Sequence, residues 1–256
     1  QSYRPISLLN GDLRILTATL ARRVNHIITE MIHPDQTGFI SGRYYGDNLR
    51  RLLNIISNQK EEQSESMILS LDAQKTFDRV SWQYLFQTLK QLKFGPNFQN
   101  WIHTLYSSPQ AAVKVNGYRS KRFTLERGCR QGCPLSPLLF AISIEPLAQL
   151  IRDDNKIKGT VIQKEEHKIS LYADDVLLYL TQAASTIPHL KELISQYGYY
   201  SGYKVNVEKT EAMDINGNIS RTVKLQSGFK WPKDGIKYLG IYIPPSLQNS
   251  YEAIVK

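Results

Sequence analysis

The stretch that decides the fold is His167-Lys168-Ile169-Ser170-Leu171-Tyr172-Ala173-Asp174-Asp175-Val176-Leu177-Leu178-Tyr179-Leu180. Two apolar runs, 167–172 and 176–180, read as strands flanking Ala173-Asp174-Asp175 at the tip of a strand–turn–strand unit. Ionised carboxylates beside so much apolar surface are costly unless something compensates them. Adjacent carboxylates also repel, and a divalent cation relieves both problems. An Asp-Asp pair taken alone is more often a polar turn. Its setting between two apolar strands is what makes this pair a candidate site.

Working outward, residues 67–71 form a short apolar strand that delivers Asp72 at its end. The spacing predicts a helix from about 185 to 200, ending at Gly202, then strands at 204–207, 211–215 and 236–243. Upstream, Leu13, Leu16, Leu20, Val24, Ile27 and Met31 recur at helical spacing over 12–32, with Asp12 as the cap. Asp47 opens a second helix, and Ser81 caps a third that stops at Gly95-Pro96. Residues 111–125 read as a hairpin turning on Asn116-Gly117. Residues 128–136 are a Gly/Pro-rich loop, and 137–151 an apolar helix kinked at Pro146. Helices and strands alternate without a βαβ rhythm, so the expected class is α+β, a mostly antiparallel sheet backed by helices.

The 256 residues carry 32 Lys and Arg against 23 Asp and Glu, a net charge of +9, which favours a polyanionic partner. The surplus is concentrated. Residues 113–132 hold Lys114, Arg119, Lys121, Arg122, Arg127 and Arg130 against Glu126 alone, interleaved with Tyr118 and Phe123. Basic side chains beside aromatic faces suit a groove for a nucleic-acid strand, although a solvated hairpin face would look much the same. Cys129 and Cys133 have no further ligands nearby for zinc, and read as reduced thiols. No apolar run approaches a membrane span, and no secretory pattern opens the chain. The first residue is Gln1, and 1–9 read as ordered, so a segment of a longer polypeptide is expected.

In this frame Tyr172-Ala173-Asp174-Asp175 resembles the signature hairpin of reverse transcriptases, and the resemblance covers nearly the whole chain in the family's order. Tyr3-Arg4-Pro5-Ile6-Ser7-Leu8 and Gln36-Thr37-Gly38-Phe39 with Gly42-Arg43 resemble the fingers motifs. Leu71-Asp72-Ala73-Gln74-Lys75-Thr76-Phe77-Asp78 resembles the motif of the first catalytic aspartate. Arg130-Gln131-Gly132-Cys133-Pro134-Leu135-Ser136-Pro137 resembles the template- and nucleotide-contacting motif. Gly202-Tyr203-Lys204-Val205-Asn206 with Lys209-Thr210 resembles the motif after the hairpin, and Tyr238-Leu239-Gly240 the primer grip. The wording of Arg-Pro-Ile-Ser-Leu and Gln-Gly-Cys-Pro-Leu-Ser-Pro resembles that of the non-LTR, LINE-type retrotransposon branch, with group II intron enzymes as the nearest relatives to exclude.

The resemblance implies a right-hand polymerase: fingers at 1–60, palm at 61–95, a fingers-side helix and hairpin at 96–127, palm with primer grip at 128–243, and the start of a truncated thumb at 244–256. It implies an RNA-directed DNA polymerase that extends a primer 3′-hydroxyl with dNTPs on an RNA template, primed at a DNA target. Two Mg²⁺ ions, with Mn²⁺ able to substitute, would be held by the catalytic Asp72, Asp174 and Asp175. Arg4, Arg14, Ala73, Gln74, Phe77, Gln131, Gly132 and Lys209 would bind the nucleotide, Phe77 as the gate against a 2′-hydroxyl. Ala73 and Gln74 would act through backbone N–H groups. Arg43, Tyr172, Arg130, Tyr238, Leu239 and Gly240 would contact template and primer. The family usually carries a Lys upstream of Arg-Pro-Ile, which this chain does not show, so an incomplete phosphate grip is expected. An endonuclease and C-terminal regions are expected in the full polyprotein, in a nuclear and cytoplasmic ribonucleoprotein that is not secreted. The alternative is a catalytically incompetent, nucleic-acid-binding remnant.

Overall fold

The computed structural model describes residues 6–59 and 64–245. Helices α1 (Gly11–Asn25), α2 (Ile28–Met31) and α3 (Tyr45–Gln59) come first, then β1 (Met67–Leu71), α4 (Thr76–Arg79), α5 (Trp82–Gln91) and α6 (Pro96–Leu105). Four short strands follow: β2 (Gln110–Ala111), β3 (Lys114–Val115), β4 (Tyr118–Arg119) and β5 (Phe123–Thr124). The long helix α7 (Ser136–Asp153) leads to β6 (Thr160–Ile162), β7 (Glu165–His167), β8 (Ile169–Tyr172) and β9 (Asp175–Leu180). Helix α8 (Ala183–Ser201), β10 (Glu211–Asp214), α9 (Arg221–Ser227), β11 (Ile236–Tyr238) and β12 (Ile241–Ile243) complete the order.

The central sheet runs β10-β1-β9-β8, and every pairing in it is antiparallel. Its inner strands β1 and β9 are mainly apolar because both faces of the sheet are covered. Met67, Leu69 and Leu71 of β1, with Val176, Leu178 and Leu180 of β9, face the main core beneath α5, α7 and α8. Ile68, Leu177 and Tyr179 face a second core built with Leu52, Ile55 and Ile56 of α3 and with Ile236, Tyr238 and Ile243. Burying each such side chain is worth about 1.5–3 kcal/mol, so β1 and β9 anchor the molecule. The two covers are tied together by charge. Asp35 accepts hydrogen bonds from Arg51 of α3 (2.6 Å) and Arg152 of α7 (3.3 Å), and Arg152 also pairs with Glu145.

Several expectations need correction. The predicted 12–32 helix breaks after Asn25. Asp12 lies inside the first turn and not at the cap, where Asn10 stands. The 204–207 strand is only a bridge, Ala73 opposite Val205, before the chain tightens into a short 3₁₀ turn, Val207–Lys209. The single 236–243 strand is a hairpin: Tyr238 pairs with Ile241, and Leu239 (φ 47°) and Gly240 (φ 84°) both take the left-handed region that a type I′ turn demands. The Asn116-Gly117 hairpin forms as expected, with φ of 48° and 85° at its turn. Ser81 caps α5 through its hydroxyl, and Gly202 ends α8 at φ 82°. Among the described residues no helix is long and apolar enough to cross a membrane. Cys129 and Cys133 are free and buried.

Candidate active site

The sheet brings the three aspartates to one edge. Leu71 pairs with Val176 and Tyr172 with Asp175, so Asp72, the next residue after β1, lies beside the tip of the β8–β9 hairpin. The tip is a two-residue turn, Ala173-Asp174, with Ala173 at φ 56°. Asp72 and Asp175 are exposed and Asp174 is half-buried. The Thr76 hydroxyl, at the start of α4, donates to Asp174 Oδ2 at 2.9 Å. Asp72 is held by its backbone. Its N–H donates to the Thr210 hydroxyl (3.3 Å), and its carbonyl accepts from the Asn206 N–H (2.7 Å).

Tyr203 registers the charge of this edge. Its hydroxyl is buried with no hydrogen-bond partner among the described residues, and its pKa is pushed up first by burial, then by the carboxylates of Asp174, Asp72 and Asp175. One hydroxyl thus feels all three acids. Among the described residues no three His, Cys, Asp or Glu side chains are arranged to hold a metal ion unaided. The donor set is nevertheless of the right kind for Mg²⁺, which takes a few carboxylates and completes its shell with substrate phosphates and water. The residues fit a metal site that the substrate would finish.

The predicted nucleotide residues are distributed around this edge, with one clear correction. The Gln74 N–H donates to the Lys204 carbonyl at 2.8 Å, so it is engaged within the protein and does not face a triphosphate. The bonds flanking the Ala73–Val205 bridge leave the Ala73 N–H pointing away from that strand. Phe77 is half-buried, stacked on Phe140 (4.3 Å between centroids) and edge-on to Phe39 (6.1 Å). The Gln131 carbonyl accepts from the Ser7 N–H at 2.8 Å. Gly132, at φ 102°, has no room for a Cβ, which would lie 2.7 Å from the Ser7 carbonyl oxygen. Its close approach is therefore to the chain's own backbone. Arg14 and Lys209 are exposed, and Arg4 lies outside the described residues.

Among the template and primer candidates Arg43 is corrected outright. Its guanidinium donates to the carbonyls of His33 (2.6 Å), Ile32 (2.7 Å), Gln36 (2.8 Å) and Thr29 (3.1 Å). It ties α2 to the loop after it, and is not free for phosphate. Arg43→Ala should cost about 3 kcal/mol, since four carbonyls lose a charged donor. Denaturant unfolding would show this, with nucleic-acid affinity and its salt dependence unchanged for the folded fraction. Arg130 is likewise partly committed, donating to the Leu105 carbonyl (3.0 Å) and lying over the Tyr106 ring. Tyr238 is buried, and its hydroxyl accepts from Asn48 at 3.3 Å, so only the Leu239-Gly240 turn reaches the surface there. Tyr172, the last residue of β8, is half-buried.

Four further residues bear on the site. Thr76 and Tyr203 touch or sense the carboxylates. Gln36 and Asn48, both fully buried, bond the hairpin from the N-terminal side: Gln36 to Ala173, Asn48 to the Leu171 carbonyl at 2.8 Å. Gln36 lies within a quoted motif, and its amide could have been read as a candidate only by knowing what lies opposite.

Comparison with known proteins places this geometry. The profile described as reverse transcriptase (RNA-dependent DNA polymerase) matches residues 1–243. A transposon TX1 protein of Xenopus laevis, described as an uncharacterized 149 kDa protein, is 33% identical over 98% of this chain and 20% of its own length. A retrovirus-related Pol polyprotein from the type-1 element R2 of Popillia japonica is 28% identical over 84% of this chain and 30% of its own. The RNA-directed DNA polymerase from mobile element jockey of Drosophila melanogaster is 24% identical over 97% and 27%. This chain thus spans only 20% to 30% of the length of these relatives. Among solved structures, apo telomerase from Candida tropicalis truncated from its C-terminal domain superposes with a TM-score of 0.60 at 15% identity, over 93% of this chain and 48% of that one. That likeness is one of fold, a right-hand polymerase.

Proposed function

This chain belongs to the reverse transcriptase (RNA-dependent DNA polymerase) family, with relatives in non-LTR retrotransposons, and from this we propose that it extends a primer 3′-hydroxyl with dNTPs on an RNA template. The observation that carries the reading is the convergence of Asp72, Asp174 and Asp175 on one edge of an antiparallel sheet.

The family generally uses divalent metal ions; here Asp72 and Asp174, with Asp175 at the margin, would hold two Mg²⁺, or Mn²⁺ in their place, which neutralise the triphosphate and acidify the primer hydroxyl. The chain's own groups do the rest. Thr76 orients the Asp174 carboxylate from one side. Gln131 and Gly132 would sit beside the base pair and the Ala73 N–H on the triphosphate path, while Arg14, Lys209 and Arg4 would supply charge for the triphosphate and the departing pyrophosphate. Primer and template would pass Tyr172 and the Leu239-Gly240 turn. The hairpin of β3 and β4, exposed throughout and rich in Lys and Arg, would track phosphates. Fingers at 1–60, a palm at 61–95 and 128–243, a fingers-side helix and hairpin at 96–127, and a thumb beginning at 244 are the proposed subdivisions. Likeness to the longer relatives supports a place in a polyprotein; an endonuclease and C-terminal regions beside it, a DNA target, and a nuclear and cytoplasmic ribonucleoprotein are further parts of the proposal.

Primer extension on an RNA template with Mg²⁺ and four dNTPs tests the reading, and full-length product is expected. Template binding without extension would favour a binding remnant instead. Phe77, wedged between Phe39 and Phe140, is the proposed gate beneath the sugar. Phe77→Ala should raise ribonucleotide incorporation relative to deoxynucleotide by about tenfold or more, equivalent to about 1.4 kcal/mol of lost discrimination. Unchanged discrimination in a folded variant would remove Phe77 from that role.

A further inference from the structure

We infer that Gln36 is the positioning residue of the carboxylate-bearing turn, its buried side-chain amide holding Ala173 in the left-handed conformation that presents Asp174. Gln36 is 0% exposed. Its Oε1 accepts from the Ala173 N–H at 3.0 Å and the Gly38 N–H at 2.8 Å, and its Nε2 donates to the Ala173 carbonyl at 3.3 Å. Two N–H groups and one carbonyl converge on this amide, and only one orientation of it satisfies all three.

The segment that carries Gln36 is itself docked as an extra edge on the sheet. Leu171 N–H donates to the Asp35 carbonyl (2.8 Å), Thr37 N–H donates to the Leu171 carbonyl (2.9 Å), and Gln36 forms a parallel bridge with Leu171. Where this backbone pairing stops, at the turn, the Gln36 side chain takes over and supplies the donor and acceptor that a neighbouring strand would. Gly38 lets the segment press against the turn, because a Cβ there would lie 2.1 Å from the Ala173 nitrogen. Arg43 holds the far side of the segment through the Gln36 carbonyl.

The need for such a device follows from Ala173. A non-glycine residue at φ 56° is strained, and such strain persists only where the surroundings over-determine it. A two-residue turn has no slack, so release of Ala173 would swing Asp174 away from Asp72 and from the Thr76 hydroxyl. The consequence for catalysis rests on the polymerase reading above; the geometry does not.

The test compares the unmodified chain with Gln36→Met, which keeps volume and removes the amide, and with Gln36→Met/Ala173→Gly. Amide hydrogen exchange over 171–175 should accelerate about 100-fold in Gln36→Met, with the remainder of the central sheet unchanged. In primer extension kcat should fall about 100-fold while KM for dNTP stays within about threefold. The added Ala173→Gly, which accepts a left-handed φ without strain, should restore about tenfold of the lost kcat, a rescue that loss of packing alone would not show. If Gln36→Met does not fold, Gln36→Glu, which keeps the two accepted bonds and loses the donated one, should show an intermediate acceleration of exchange. Unchanged exchange at 171–175, a loss confined to KM, or no rescue by glycine overturns the assignment. If the unmodified chain does not extend primers, the polymerase reading fails while the exchange measurement still decides the role of Gln36.

Discussion

Asp174→Ala is expected to abolish primer extension, lowering the rate by about 10⁴-fold or more, while leaving the chain folded and able to bind template. Asp174 sits at the turn of the β8–β9 hairpin, half-buried, with the Thr76 hydroxyl as its hydrogen-bond donor. Losing that bond costs about 1 kcal/mol. Against this, removing one of three acids clustered at a sheet edge relieves like-charge repulsion, so the melting temperature should move by only a few degrees, roughly 2–4 °C per kcal/mol. Chemistry has no such compensation, because a methyl group cannot ligate the divalent ions that the Asp174 carboxylate is proposed to hold. Nucleic-acid affinity should hold or rise slightly, since phosphates meet one negative charge fewer. Parallel extension, melting and filter-binding measurements would settle it. Extension within tenfold of the unmodified chain would mean that the aspartate edge is not the reacting centre.

The second large effect is expected at a residue with no side chain. In Gly38→Ala the new Cβ would lie 2.1 Å from the Ala173 nitrogen, 2.7 Å from the Tyr172 carbonyl carbon and 2.9 Å from the Ala173 Cα. All three atoms are backbone, and the backbone here is pinned by the Gln36 amide and the Leu171 pairing. Either the 35–38 segment lifts off the sheet or the hairpin shifts. Overpacking of this kind costs about 3 kcal/mol or more, which corresponds to a fall in melting temperature of about 6–12 °C. Activity should fall further than stability, because the displaced element carries Asp174. Gly46, on α3, is the internal control: nothing lies within 4 Å of its added Cβ. Gly46→Ala should be neutral or stabilising by up to about 1 kcal/mol. Equal melting temperatures for the two variants would show that Gly38 has room the structure denies it.

Much of this architecture could be read from the chain, for reasons that differ by residue. Residues 67–71 and 176–180 were recognisable as strands because continuous apolar runs of this length belong to sheets covered on both faces, which is how β1 and β9 sit. Ser81 and Asn116-Gly117 act through their immediate neighbours, so local reading located the helix cap and the hairpin turn. Arg43 was misread because a positive charge suggests phosphate, whereas a guanidinium with five N–H donors serves backbone carbonyls equally well. The turn at Leu239-Gly240 was missed because a leucine at φ 47° carries none of the usual Asn or Asp turn signal. Gln36 and Asn48 looked like ordinary polar residues. Their partners, Ala173 and Leu171, lie more than a hundred residues away, and nothing local distinguishes an amide that will be buried from one that faces water.

The short hairpin around Asn116-Gly117 has a practical corollary. Every residue from 113 to 124 is exposed, and its turn closes on itself through Val115 and Tyr118. The aspartate edge, by contrast, is fastened to two cores and to the 35–38 segment. The hairpin therefore behaves as a detachable cassette: its length, charge and aromatic content can be exchanged with little disturbance to the machinery beneath. On the proposed reading, a library built only on residues 113–124 would vary the contact with template while leaving the aspartate edge unaltered.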